Sequence, residues 1–99
     1  MKKILSTDKA PAAIGPYSQA VRGGDYIYVS GQLPIDPATG AFAGEDIASQ
    51  TKQSLTNIKA ILESEGLSLA NVIKTTVLLQ NIGDFAAMNE VYATFFEGD

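Results

Sequence analysis

The sequence predicts an α+β fold in which two helices pack on one face of a mixed sheet. Three observations predict it: strand-like runs occupy the first thirty residues, a helical apolar pattern follows Asp46, and a β-branched run spans residues 71–81. The predicted order is β-β-β-α-β-α, which is typical of a two-layer sandwich. No internal repeat or linker interrupts the 99 residues, so we interpret them as a single domain.

The first predicted strand covers residues 4–7 and is followed by a loop. That loop contains Pro11, Gly15 and Pro16, which disfavour regular structure. Two further strand-like runs, residues 17–22 and 26–30, are separated by "GGD", and a glycine-rich link of this length predicts a hairpin. In the second run, alternation places Tyr26, Tyr28 and Ser30 on one face and Ile27 and Val29 on the other.

A helix is predicted from an N-cap at Asp46 to about residue 65, after a loop that carries two prolines. Its apolar stripe recurs at spacings of three and four residues and consists of Ile47, Thr51, Leu55, Ile58, Ile61 and Leu62. Gly66 follows the helix, where a residue in the left-handed conformation commonly ends it.

The run "NVIKTTVLLQN", residues 71–81, predicts a strand buried on both faces, because it is rich in β-branched residues and Lys74 is its one charge. Asp84 is then the predicted N-cap of a second helix. The apolar stripe of that helix consists of Phe85, Met88, Tyr92 and Phe95 or Phe96.

Composition excludes several classes of function. The net charge is −4, and the seven lysines and arginines are scattered rather than clustered, which disfavours nucleic-acid binding. The absence of cysteine and histidine excludes disulfides, thiol nucleophiles, most zinc sites and a Ser-His-Asp triad. No signal peptide or membrane-spanning run is evident, so we expect a cytoplasmic protein without membrane contact. So small a domain buries little surface, which favours association.

Three positions are candidates for a binding site, and each has a structural alternative. Gly31 at a strand end can leave backbone N–H groups free for an anionic oxygen, with Ser30 adding a hydroxyl; alternatively, the strand simply ends there. Tyr17 follows Pro16 and is either a pre-ordered ligand contact or a core aromatic residue. Asn89 shares the apolar stripe of the second helix, so a buried amide there needs a structural partner or a ligand.

Taken in order, "APAAIGPYSQAV", "YVSGQLPIDPATG" and the long run from Gln50 to Phe96 resemble the RidA family, also called YjgF. The resemblance implies a chorismate-mutase-like fold and a homotrimer with clefts between subunits. It implies hydrolysis of reactive 2-imino acids to 2-keto acids and ammonia, without a metal or organic cofactor. The alternatives are a non-catalytic module that binds small carboxylates or proteins, and an endoribonuclease or translation inhibitor.

Residue by residue, the resemblance implies that Tyr17 lies beside the substrate and that Ser30 and Gly31 line the pocket. The Gly31 N–H would bind a substrate oxygen, and Asn89 would lie near the cleft. In the family, an arginine that binds the substrate carboxylate and a glutamate that positions water follow the segment matched by "YATFF". Both would lie beyond Asp99, the last residue of the sequence. We therefore expect a domain that is C-terminally incomplete relative to the family and assign no catalytic residue within it.

Overall fold

The computed structural model describes residues 2–96 and shows a three-stranded antiparallel sheet with two α-helices. The strands are β1 (Lys2–Leu5), β2 (Ala20–Gly23) and β3 (Tyr26–Val29), and the helices are α1 (Ile47–Glu63) and α2 (Phe85–Phe95). Two short 3₁₀ turns, Leu69–Asn71 and Ile82–Asp84, lie between the helices. The α+β class is thus confirmed, although all strand pairs in the described residues are antiparallel rather than mixed.

The sheet has the order β1-β2-β3, and its register determines which side chains share a face. Leu5 lies opposite Ala20, and Ala20 lies opposite Val29. Gly24 occupies the tight turn between β2 and β3 with a φ of 61°, a conformation that glycine adopts without strain. The hairpin prediction is therefore confirmed, although β2 begins at Ala20 rather than at residue 17.

The core lies between one face of the sheet and α1. Its four buried residues are Leu5, Ala10, Ala20 and Ile61. The partly buried Ile27, Val29 and Ala60 pack against them. The opposite face of the sheet exposes large apolar side chains, namely Ile4, Tyr26 and Tyr28. The predicted alternation in β3 is therefore correct.

The ends of α1 follow from its sequence. The Asp46 carboxylate accepts a hydrogen bond of 2.9 Å from the backbone N–H of Ser49, as the N-cap prediction requires. At the other end, Gly66 has a φ of 74° and the Leu67 N–H donates to the Leu62 carbonyl at 3.0 Å. This is the hydrogen-bond pattern of a Schellman motif.

The second helix packs against α1, and Met88 is its buried residue. Asp84 occupies the N-cap position without a side-chain hydrogen bond. The predicted stripe is only partly correct, because Phe85 is 55% exposed. The ring of Tyr92 lies 4.7 Å from that of Phe96.

The prediction of a buried strand over residues 71–81 was wrong. Asn71 belongs to a 3₁₀ turn, and residues 72–79 adopt no regular structure and pair with no strand in the described part of the chain. Ile73 is 82% exposed and Leu78 is 90% exposed. A strand is defined by hydrogen bonds to a neighbour, and β-branched composition cannot supply that neighbour.

Among residues 2–96, no helix combines the length and apolar character needed to cross a membrane.

Candidate functional site

Ser30 is fixed by two hydrogen bonds just beyond the end of β3. Since Ala20 lies opposite Val29, the same register places Gln19 opposite Ser30. The Ser30 N–H donates to the Gln19 carbonyl at 3.0 Å, and the Ser30 hydroxyl donates to the Ser18 carbonyl at 2.6 Å. Because a hydroxyl has a single hydrogen, Ser30 Oγ retains only acceptor capacity for a ligand.

Gly31 follows immediately and is exposed. Within residues 2–96, no protein group accepts a hydrogen bond from its N–H, and a Cβ built on Gly31 meets no atom within 4 Å. The N–H of this exposed residue therefore remains available to a ligand. This is the arrangement that can bind an anionic oxygen.

Tyr17 lies on the loop that leads into β2 and is 51% exposed, so its interpretation as a core aromatic residue is wrong. Its N–H donates to the Gly15 carbonyl at 2.9 Å, and Gly15 has a φ of 109°. Continuing the β2–β3 register brings Tyr17 to the level of Gln32, the residue after Gly31. The hairpin thus gathers Tyr17, Ser30 and Gly31 at one end of the sheet.

A surface cavity of about 430 Å³ opens beside Tyr17. Its lining includes polar and apolar groups from β1, the following loop and the start of the hairpin, among them Ile4, Thr7, Ala13, Tyr17, Ser18 and Gln19. Ser30 and Gly31 do not line it. The cavity therefore reaches only the Tyr17 side of the strand end.

Asn89 lies on α2, whereas Tyr17, Ser30 and Gly31 lie at the end of the hairpin. It is exposed on α2, so the predicted burial of its amide was wrong. In the described part of the chain, no hydrogen bond joins Asn89 to Tyr17, Ser30 or Gly31. The nearby Tyr92 hydroxyl instead forms a hydrogen bond of 2.5 Å with Thr75, which attaches the segment of residues 72–79 to α2.

The catalytic groups that the resemblance implies are not among these residues. The arginine and the glutamate were expected beyond Asp99, and Asp99 itself lies outside the described residues. That the domain is C-terminally incomplete relative to the family therefore stays a prediction. What the described residues can contribute to a site is binding and orientation, through Tyr17, Ser30 and Gly31.

The sequence interpretation missed two buried amides that organise this region. Gln19 is 3% exposed and Asn57 is fully buried. The Asn57 amide nitrogen donates to the carbonyls of Leu33 and Ile35 at 3.2 and 2.9 Å, which fastens the loop after Gly31 to α1. Asn57 lies four residues before the buried Ile61, so its helical position was a usable signal. Gln19 gave no local signal, because the partners of its side chain lie 8 to 12 residues away.

Comparison with known proteins gives a consistent result. The sequence profile of the family described as endoribonuclease L-PSP matches residues 7–99. A RutC family protein from Pyrococcus horikoshii is 55% identical over 96 residues, which is 97% of this chain and 76% of the relative. A Salmonella typhimurium protein named 2-iminobutanoate/2-iminopropanoate deaminase is 50% identical over 96 residues, covering 97% of this chain and 74% of the relative.

Solved structures are similar over the same extent. A conserved Rid family protein from Yersinia pestis, of unknown function, superposes with a TM-score of 0.95 at 43% identity, covering 99% of this chain and 78% of that chain. The E. coli protein TdcF, whose structure contains bound serine, superposes with a TM-score of 0.90 at 47% identity, covering 95% and 73% of the two chains.

Proposed function

The chain belongs to the endoribonuclease L-PSP family, which includes the RidA proteins, and we propose that its site serves the hydrolysis of reactive 2-imino acids to 2-keto acids and ammonia. The observation that carries the proposal is the Gly31 N–H, which has no acceptor among residues 2–96 and lies next to the hydrogen-bonded Ser30. A relative that is 50% identical and is named for the deamination of two such imines supports this choice of substrate class.

The proposed reaction requires water to add to the electrophilic imine carbon. The resulting carbinolamine then expels ammonia and leaves a carbonyl at the same carbon. The Gly31 N–H would donate to a carboxylate oxygen of the substrate, which fixes the plane of the molecule. Holding the imine in one orientation lowers the entropic part of the barrier.

We assign binding and orientation, rather than proton transfer, to the residues of this chain. The Ser30 hydroxyl has its hydrogen engaged by Ser18, so its free lone pair would accept from the imine N–H. The exposed Tyr17 ring would cover one face of the planar substrate. In a trimer, Asn89 of a neighbouring subunit would line the cleft opposite Tyr17, Ser30 and Gly31 and contact the substrate from that side.

A homotrimer with clefts between subunits is part of the proposal. It is supported by the uncovered face of the sheet, on which Ile4, Tyr26 and Tyr28 are 61%, 57% and 69% exposed. Contiguous exposed apolar side chains commonly mark an interface. The molecular mass in solution tests this part, and a monomer at all concentrations would contradict it.

The test of the activity is a coupled assay in which 2-aminoacrylate is generated enzymatically and pyruvate release is followed. Three proteins are compared: the 99-residue chain, the Salmonella relative as positive control, and a chimera that continues after residue 96 with the remaining segment of that relative. Acceleration by the chain or the chimera supports the proposal, provided that it decreases when Gly31 is substituted. If neither accelerates the reaction while the relative does, the proposal fails.

A non-catalytic module that binds small carboxylates is the second candidate. The E. coli structure with bound serine favours it, since serine carries a carboxylate. Titration with 2-ketobutyrate separates the two functions. Saturable binding without any hydrolysis favours the binding module, and the absence of binding contradicts it.

The family description also names an endoribonuclease, so RNA is the third candidate. Lys52 and Lys59 line a cavity of about 430 Å³ between the helices, but the net charge of −4 opposes binding to phosphates. RNA binding that persists at physiological ionic strength and weakens with added salt would favour this alternative.

A further inference from the structure

The side chain of Gln19 joins segments that are distant in sequence. Its amide nitrogen donates to the carbonyls of Thr7, Ala10 and Pro11 at 3.0, 3.2 and 2.7 Å. Its amide oxygen accepts from the Thr7 N–H at 2.7 Å. The nitrogen has two hydrogens for three acceptors, so one hydrogen is shared. Both donor hydrogens and one acceptor lone pair of the amide are therefore used at a residue that is 3% exposed.

These bonds close a loop. Residues 12–17 begin directly after Pro11, whose carbonyl Gln19 holds, and lead through Ser18 into Gln19 itself. Among the described residues, one hydrogen bond has both its donor and its acceptor within that loop, and it runs from the Tyr17 N–H to the Gly15 carbonyl. Both ends of the segment that carries Tyr17 are therefore attached at Gln19.

The backbone of Gln19 reaches the other half of the candidate site. Its carbonyl accepts from the Ser30 N–H at 3.0 Å, and the adjacent Ser18 carbonyl accepts from the Ser30 hydroxyl at 2.6 Å. One residue thus connects the Tyr17 loop through its side chain and the Ser30 strand end through its main chain. The relative position of Tyr17 and Ser30 depends on that residue.

We propose that Gln19 is the positioning residue of the site: its buried amide closes the loop of residues 12–17 and so holds Tyr17 in place against the Ser30–Gly31 strand end. The residue touches no substrate in this proposal and acts through Tyr17. Loss of the amide frees one end of the loop, and Tyr17 must then be ordered each time a ligand binds. Pre-organisation of this kind increases affinity because the ordering cost is met during folding.

The first measurement does not depend on the function. Amide hydrogen exchange is compared between the wild-type chain, Gln19→Leu and Leu62→Ala. Leu62 is buried on α1 and is not part of the core cluster that contains Ala10, so Leu62→Ala reports general destabilisation. For Gln19→Leu we expect exchange of the Thr7, Tyr17 and Ser30 N–H groups, which are hydrogen-bonded in the wild type, to rise by at least about tenfold relative to residues of α1. If the exchange rate of these groups relative to α1 increases no more in Gln19→Leu than in Leu62→Ala, the proposal is overturned.

The second measurement uses 2-ketobutyrate and rests on the proposed function. Gln19→Leu is expected to weaken binding on the order of tenfold, whereas Leu62→Ala changes it by less than about twofold. If the wild-type chain binds no 2-ketobutyrate, the proposed function fails while the exchange result still decides the role of Gln19. Equal weakening by both variants contradicts the positioning role.

Gln19→Asn guards against a Gln19→Leu variant that does not fold. It keeps the amide on a side chain one methylene shorter, so it can retain some of the bonds to the loop carbonyls. We expect loop exchange and binding between those of the wild type and those of Gln19→Leu. A folded Gln19→Asn variant whose loop exchanges like the wild type would overturn the proposal.

Discussion

The Ser30 hydroxyl donates a hydrogen bond of 2.6 Å to the carbonyl of Ser18, one residue beyond the last ladder pair of the β2–β3 hairpin. This contact fixes the rotamer of Ser30 and consumes its only hydrogen. The N–H of the next residue, Gly31, has no acceptor among residues 2–96. The strand end is therefore both rigid and open.

Ser30→Ala is expected to lower the free energy of unfolding by about 0.5 to 1.5 kcal/mol, because one partly buried hydrogen bond is lost. It should also weaken 2-ketobutyrate binding. Ser64→Ala is the matched control, since the Ser64 hydroxyl donates to the Ile61 carbonyl at the same distance of 2.6 Å. Chemical denaturation and titration are measured for both variants. Equal loss of binding in both would refute a ligand contact at Ser30.

Gly31→Ala is expected to fold with a change in unfolding free energy within about 0.5 kcal/mol, because an added Cβ meets no atom within 4 Å. Its methyl group would instead obstruct the approach of a ligand to the backbone N–H, so binding should fall. Gly66→Ala is the control. With a φ of 74°, it should destabilise the fold by about 1 to 2 kcal/mol and leave binding unchanged. Unaltered binding in Gly31→Ala would count against the site.

Asn57→Leu is expected to destabilise the fold by about 2 to 3 kcal/mol, because the carbonyls of Leu33 and Ile35 lose their donor. The midpoint of urea denaturation measures the change. Thr56→Ala on the same helix is the control, since the Thr56 hydroxyl bonds only to its own helix and is exposed. If Asn57→Leu lowers the free energy of unfolding no more than Thr56→Ala does, the loop that contains Leu33 and Ile35 does not depend on Asn57.

Asp46 gives a prediction for the dependence of stability on pH. Hydrogen bonds from the Ser49 backbone and side chain lower the pKa of its carboxyl below the ordinary value of 3.8. A group with a depressed pKa stabilises the folded state above its unfolded pKa, and that contribution disappears as the pH falls through the folded pKa. The stability advantage of the wild type over Asp46→Asn should therefore shrink below pH 3.8. Denaturation midpoints measured from neutral to strongly acidic pH test this, and a constant difference would contradict it.

Much of the fold was predictable because its signals are local. The N-cap at Asp46, the left-handed Gly66 and the β2–β3 hairpin each depend on residues a few positions apart. The alternation in β3 likewise assigned Ile27 and Val29 to the core correctly. Side-chain chemistry within one turn or one hairpin decides such features, so the sequence displays them directly.

Errors arose where the outcome depends on a neighbour. Residues 72–79 have strand composition but no pairing partner in the described chain, and Asn89 shares a helical stripe without being covered. Of the candidate site, Tyr17, Ser30 and Gly31 were predicted to be near a ligand, and the hairpin does bring them to one end of the sheet. The sequence did not reveal the amide that connects them.

The sequence alone determined the α+β class and the family, and it predicted a strand end at Ser30–Gly31, because local propensity and short motifs carry that information. The tertiary structure decided which polar groups are consumed internally. Ser30 donates its hydrogen to Ser18, and the Gln19 amide bonds to backbone groups up to twelve residues away. Such bonds join groups that only folding brings together, so no spacing in the sequence encodes them.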